Sequence, residues 1–186
     1  MGEADAQFER VSGDTSTRTQ LRQVTVTALV GQTLAGARVE QGHALPTQGD
    51  HLPALIVATP GEKKSSLGRG VPMFTTIVQL VVVGRVASTD RFRVQADLDT
   101  LVDQIHAAVM SNYAVLDIVQ QFAEVETRTK LDGDNRAFIG ECEVLFHAEI
   151  FQRYEPPPGV PLVEITLDLP PRAAARIILP PTEKPS

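Results

Sequence analysis

The sequence predicts an α+β fold: one mixed, mainly antiparallel sheet with two helices packed on one face, followed by an extended C-terminal arm. Three observations predict it. Residues 73–87 are the longest strand signal, with apolar side chains at both parities. Residues 98–113 carry apolar side chains at helical spacing. Residues 121–131 and 137–151 read as the arms of a hairpin around the turn formers Asp132, Gly133, Asp134 and Asn135.

Taken in chain order, residues 1–14 are polar and rich in acids and Gly, and read as a mobile arm. In residues 17–30, Leu21, Val24, Ala28 and Leu29 recur at helical spacing. The β-branched run Val24, Thr25, Val26 and Thr27 works against that helix. Gly31 offers its stop, and Gly36 opens a short extended piece at 37–41. Residues 43–51 form a loop around Pro46, Gly49 and Asp50. The run LPALIVAT at 52–59 is a short buried strand, and 60–70 is a flexible loop bearing Lys63, Lys64 and Arg69.

In the long strand, Phe74, Thr76, Val78, Leu80, Val82 and Val86 share one face, and Met73, Ile77, Val81 and Val83 share the other. A strand apolar on both sides belongs in the middle of a sheet. Asp90 is an N-cap candidate for the following helix, whose stripe is Leu98, Leu101, Val102, Ile105, Ala108, Val109 and Tyr113. In the second hairpin arm, Gly140, Cys142, Val144, Phe146, Ala148 and Ile150 face one way, and Glu141, Glu143, His147 and Glu149 the other. Pro156, Pro157, Pro158 and Gly159 then end the domain. The organisation is a flexible segment at 1–14, an α+β domain at 15–155 and a Pro-rich arm at 156–186.

Bulk properties narrow the function classes. The 186 residues are 42% hydrophobic but contain no Trp, so the core must come from Val, Leu, Ile and Ala. A net charge of −6 argues against tight binding of nucleic acid through its phosphates. The single Cys142 excludes an internal disulfide framework and a Cys-based zinc site. No apolar run of 18 or more residues exists, and the polar, acidic start is not a secretory signal, so a cytoplasmic place of manufacture and no membrane partner are expected.

Searching for chemistry returns little. His43, His51, His106 and His147 show no metal-ligand spacing. There is no G-x-S-x-G elbow, and the Gly and Lys residues of 61–70 are in the wrong order for a phosphate loop. No catalytic residue, cofactor or metal ligand is therefore predicted. Two features remain. Glu124, Glu126, Glu141, Glu143 and Glu149 share the outward parity of the hairpin. They read either as a solvated strand face or as a wall that must carry negative charge in an assembly. Acid/base or Mg²⁺ chemistry on these carboxylates is the lesser reading, since a flat face lacks a pocket. The second feature is the arm, where Val163, Ile165, Leu167 and Leu169 alternate with Leu162, Glu164, Thr166 and Asp168. Such a strand can complete its own sheet, add to a neighbouring subunit, or order only on assembly. Leu162, Val163, Ile165, Leu167 and Leu169 are its candidate partner-binding residues.

The order of these elements resembles the tail terminator (tail completion) proteins of long-tailed bacteriophages. The likeness rests on LPALIV at 52–57, on DLDTLVDQI at 97–105 after the long strand, and on the closing VLFHAEIFQRYEP at 144–156. It covers about residues 15 to 155. It implies a homo-oligomeric ring, commonly a hexamer, at the head-proximal end of the tail tube. That ring stops tube polymerisation, meets a neck or head-completion protein, and lets DNA pass without tight binding. The acidic hairpin face then becomes a candidate lumen wall or subunit interface, and Lys63, Lys64 and Arg69 a candidate docking loop. The arm beyond Tyr154 exceeds many relatives and suggests a clamp on a neighbour or a sheath component. The place of action would be the virion. Rival readings are another neck or tube ring component, a non-viral adaptor working through its C-terminal strand, and a small metal-dependent enzyme using the hairpin carboxylates.

Overall fold

The computed structural model describes residues 9–10, 16–42, 51–134 and 137–154. The chain divides into two units between Glu155 and Pro156, and every described residue lies in the first. The arm residues Leu162, Val163, Ile165, Leu167 and Leu169 lie outside the described residues, as does most of the segment 1–14.

The elements are β1 (Glu9–Arg10), α1 (Thr17–Leu29), β2 (Val39–Gln41), β3 (Ala54–Ser66), β4 (Met73–Ser88), α2 (Arg91–Met110), α3 (Tyr113–Leu116), β5 (Gln121–Asp134) and β6 (Ala137–Arg153). They form an α+β domain around one mixed, mainly antiparallel sheet. Its order is β2-β3-β4-β6, and the far edge of β6 is shared by β5 and the two-residue β1. The β2–β3 and β1–β6 pairs are parallel, and the rest are antiparallel. Strand β4 is central, as its two apolar faces require.

Helices α1 and α2 cover one face. The sheet presents Leu55, Val57, Val78, Leu80, Val82, Cys142, Val144, Phe146, Ala148 and Ile150 to them, all buried. Helix α2 answers with Val94, Leu98, Leu101, Ile105 and Val109, each fully buried. Full burial of one such side chain is worth about 1.5–3 kcal/mol. The Asp90 cap, which accepts from the Phe92 backbone N–H at 2.9 Å, is worth about 1 kcal/mol. Packing therefore holds α2, and the cap sets where it starts.

The β-branched run in α1 is accommodated locally. Thr25 is buried, and its hydroxyl donates to the Leu21 carbonyl at 2.7 Å, so no polar group is stranded in the core. The helix stops where expected: Val30 is the C-cap and Gly31 has φ 73°, a region in which Gly avoids the Cβ penalty. The helix N-terminus is tied to the far end of the sheet by a buried polar relay. Thr76 Oγ1 donates to Gln152 Oε1 at 2.9 Å, and Gln152 Nε2 donates to Thr17 Oγ1 at 3.2 Å.

Four expectations need correction. First, 60–66 is strand rather than loop. A β-bulge between Ala58 and Gly61 takes up one extra residue, so β3 passes through Pro60 and resumes pairing, Lys63 opposite Ile77 and Lys64 opposite Thr76. Pro60 removes a ladder donor, which a bulge tolerates. Second, Tyr113 is not on the buried stripe of α2. Ser111 caps α2, and Tyr113 begins the short α3 at 83% exposure. Asn112 explains the break, since its side chain accepts from the Ala114 N–H at 3.0 Å and so caps a new helix. Third, Glu9–Arg10 within the supposed mobile arm pair with Gln152 and Arg153. Fourth, α3 is a third helix, though one of only four residues.

Two glycines let α2 sit this close. A Cβ on Gly140 would lie 2.6 Å from Leu98 Cδ1 and 2.7 Å from Val94 Cγ1, and one on Gly84 would lie 2.8 Å from Leu101 Cδ2 and from Leu55 Cδ2. Those side chains are fully buried or nearly so and have nowhere to retreat. Gly140→Ala is expected to destabilise the domain by about 1–3 kcal/mol. The check is a urea titration, in which the midpoint should fall at an unchanged m-value.

Candidate functional site

The sheet face away from the helices is covered by no other layer among the described residues. It is built from the odd-numbered residues of β4 and β6 and the even-numbered residues of β5 from Glu124 onward. Register places them side by side: Arg85 opposite Glu141, Val83 opposite Glu143, Val81 opposite Leu145, Gln79 opposite His147 and Ile77 opposite Glu149. On the other side of β6, Glu124 faces His147, Arg128 faces Glu143 and Lys130 faces Glu141. All five predicted glutamates, Glu124, Glu126, Glu141, Glu143 and Glu149, thus share one face.

That face is not uniformly negative. Arg85 Nε lies 2.6 Å from Glu141 Oε2, with both side chains half-buried. Arg128 spans two strands, 2.8 Å from Glu126 Oε2 and 3.8 Å from Glu143 Oε1. Lys130 sits 2.6 Å from Asp132, whose carboxylate raises the lysine pKa. Glu149 accepts from Gln121 Nε2 at 2.8 Å. Exposed pairs of this kind each contribute roughly 0–1 kcal/mol, so they arrange the surface more than they hold the fold.

An apolar stripe runs beside the charges. Ile56, Ala58, Val81 and Val83 line a groove of about 390 Å³ that ends on Arg85, Glu141 and Glu143. Side chains of this kind on the outer side of a sheet normally await a covering layer. Elsewhere, Phe92 at the start of α2 is 85% exposed, and Met110, Tyr113 and Leu116 form an exposed apolar set around the α2–α3 junction. Sequence periodicity gave no signal for Phe92, because the first turn of a helix contributes too few positions to define a stripe.

The candidate docking loop does not hold together as one patch. Lys63 shares the open face with Ile77, while Lys64 points to the helix side. There its ammonium donates to the Tyr154 hydroxyl, lies 5.0 Å above that ring's centroid and 3.5 Å from Glu62. Burial lowers the Lys64 pKa, but the Tyr154 and Glu62 contacts outweigh it and the net shift is upward. Arg69 lies in the bend beyond β3. Alternation separates the two lysines, a consequence of strand geometry that a loop reading could not contain.

Cys142 faces the core as expected, and burial pushes its thiol up to about 11. Among the described residues, one set of side chains could hold a metal ion: Glu124, Glu126 and His147, whose ligand atoms lie within 4.8 Å of one another. Counting along the chain missed it, since the histidine belongs to a different strand from the two acids. No helix among the described residues is long and apolar enough to cross a membrane. No protein-family model matches the chain, and no curated protein is significantly similar to it.

A thiol held neutral and fully buried should react slowly with an aromatic disulfide reagent at pH 8, and fast once urea unfolds the chain. The sign of the pH effect follows. The folded pKa of about 11 exceeds the ordinary thiol value of 9.0, so this thiol's contribution is complete below pH 9 and is lost as pH rises through 11. Comparable thiol reactivity in native and urea-unfolded protein would contradict the burial.

Proposed function

We propose that this chain is a non-catalytic ring-forming protein that caps the head-proximal end of a phage tail tube, ending its growth and joining it to the neck. The observation that carries the reading is the open sheet face: β3, β4, β6 and β5 expose charge and a half-buried apolar stripe on a surface that a neighbouring subunit could cover. In this reading the stripe of Ile56, Ala58, Val81 and Val83 lies at the subunit interface. The carboxylates of Glu124, Glu126, Glu141, Glu143 and Glu149 stand at its border or line the channel. Negative side chains along a channel repel the DNA backbone at short range, and salt screens that repulsion beyond about 8–10 Å. DNA would therefore pass without sticking. The resemblance in element order described above supplies the phage assignment, the tube and neck partners and the virion location. A sheath contact through residues 156–186 belongs to the same proposal.

The decisive experiment is electron microscopy of the purified protein, alone and mixed with its tail-tube protein. Rings that sit on tube ends and shorten the length distribution support the terminator reading. Rings that stack into long tubes identify a tube subunit, and an absence of rings in both samples rejects the proposal.

A charge reversal probes the face itself. Glu141→Lys with Glu143→Lys removes the carboxylate beside Arg85 and the more distant of the two beside Arg128, and adds two cations to Arg85, Arg128 and Lys130. Ring yield should fall by an order of magnitude or more, given a cost of several kcal/mol for like-charge contact at an interface. Rings of unchanged number and unchanged DNA passage would remove this face from both the interface and the channel.

A further inference from the structure

The hairpin builds a three-residue constellation that a ring wall does not require. Glu124 and Glu126 are two apart on β5 and so project from one face. His147 is directly opposite Glu124 on β6, and Glu126 is opposite Leu145, which makes His147 its diagonal neighbour. The irregularity between Phe122 and Glu124 produces this arrangement. Phe122 pairs with Ala148; uninterrupted pairing would bring Ala123 to His147 and turn Glu124 toward Phe146, on the core side. One extra residue in β5 moves both carboxylates to the imidazole.

The spacing suits a shared ion better than a hydrogen bond. His147 Nδ1 lies 3.6 Å from Glu124 Oε2, beyond hydrogen-bond range. Two donors about 2.1 Å from a tetrahedral ion are themselves about 3.4 Å apart. Nε2 of the same ring is shielded from solvent and has no hydrogen-bond partner, so Nδ1 is the nitrogen on offer. Arg128 holds one oxygen of Glu126 at 2.8 Å. The second oxygen remains for a cation, and an arginine 71% exposed yields its place at little cost. One imidazole and two carboxylates suit a borderline divalent ion, and zinc stands above manganese, iron and cobalt in general affinity.

We propose that Glu124, Glu126 and His147 bind one Zn²⁺ ion per chain, with water in the remaining position. The ion pins the edge strand β5 to β6 at the bulge and lowers the negative charge of the open face. The proposal needs only the folded domain and stands apart from the ring reading.

The test is calorimetric titration of the full-length protein with ZnCl₂ in a non-coordinating buffer, with Co²⁺ absorption as the spectroscopic probe. One saturable site and visible Co²⁺ bands of a four-coordinate ion are expected. His147→Gln and Glu124→Gln should each weaken binding by at least about tenfold, while Asp103→Asn, on the exposed side of α2, leaves it unchanged. Circular dichroism confirms that each variant is folded, and Glu126→Gln provides a third, independent removal. Absence of saturable binding overturns the proposal. So does Zn²⁺ affinity that survives His147→Gln, or full competition by Mg²⁺ or Ca²⁺, either of which would mark general attraction to carboxylates.

Discussion

Side chains of helix α2 rest against the backbone of two glycines in the two central strands, and the rest of the domain follows from that approach. Gly84 on β4 and Gly140 on β6 leave room for Leu98, Leu101 and Val94 where any Cβ would collide. Close-packed interiors forfeit contact energy quickly when layers separate by even a fraction of an ångström. With α2 seated there, Phe146 and its neighbours on β6 are sealed on one side, and α1 has a lateral wall to pack against. The sheet thereby packs one face under the helices and leaves most of the other open.

One-sided burial determines what the other face can be. The strands are long, 13 residues in β3, 16 in β4 and 17 in β6, so they present a broad outer surface. Side chains there are set by register rather than by packing, which lets charge pairs such as Arg85 and Glu141 form across strands. It also leaves Val81 and Val83 half-buried with no further layer over them among the described residues, beside an Ile56 that is already buried. The β3–β4 hairpin closes one end of the sheet, where the Gln152–Thr17 bond brings in the N-terminus of α1. At that end Lys64, Tyr154, Phe74 and Gln152 form a small local cluster, with the Phe74 and Tyr154 rings edge to face at 5.9 Å. A surface partly apolar and partly charged has the mixed composition of surfaces that proteins use to associate.

Particular residues show how far sequence reasoning reaches. The inward set of β4 and β6 was legible because alternation over 16 and 17 residues admits one register of faces. Asp90 and Gly31 were legible because capping and positive φ are local demands of the backbone. The break at Asn112 was not, since a stripe that continues for one more turn looks identical until a new cap intervenes. The course of β3 through Pro60 was hidden because Pro and Gly signal loops equally well, and only pairing with β4 distinguishes a bulge from a turn. The Gln152–Thr17 link joins residues 135 positions apart, beyond any local pattern.

The sequence by itself determined the α+β class, the central place of β4, the buried side of each long element, and the shared parity of Glu124 with Glu126 and of Glu141 with Glu143 and Glu149. All of these depend on periodicity, which is a property of neighbours along the chain. Tertiary structure alone decided which charges meet across strands, that Lys63 and Lys64 part company, that all five glutamates share one face, and that His147 stands opposite Glu124 and diagonal to Glu126. Those outcomes turn on register, and a single extra residue in a bulge changes register without changing composition or period.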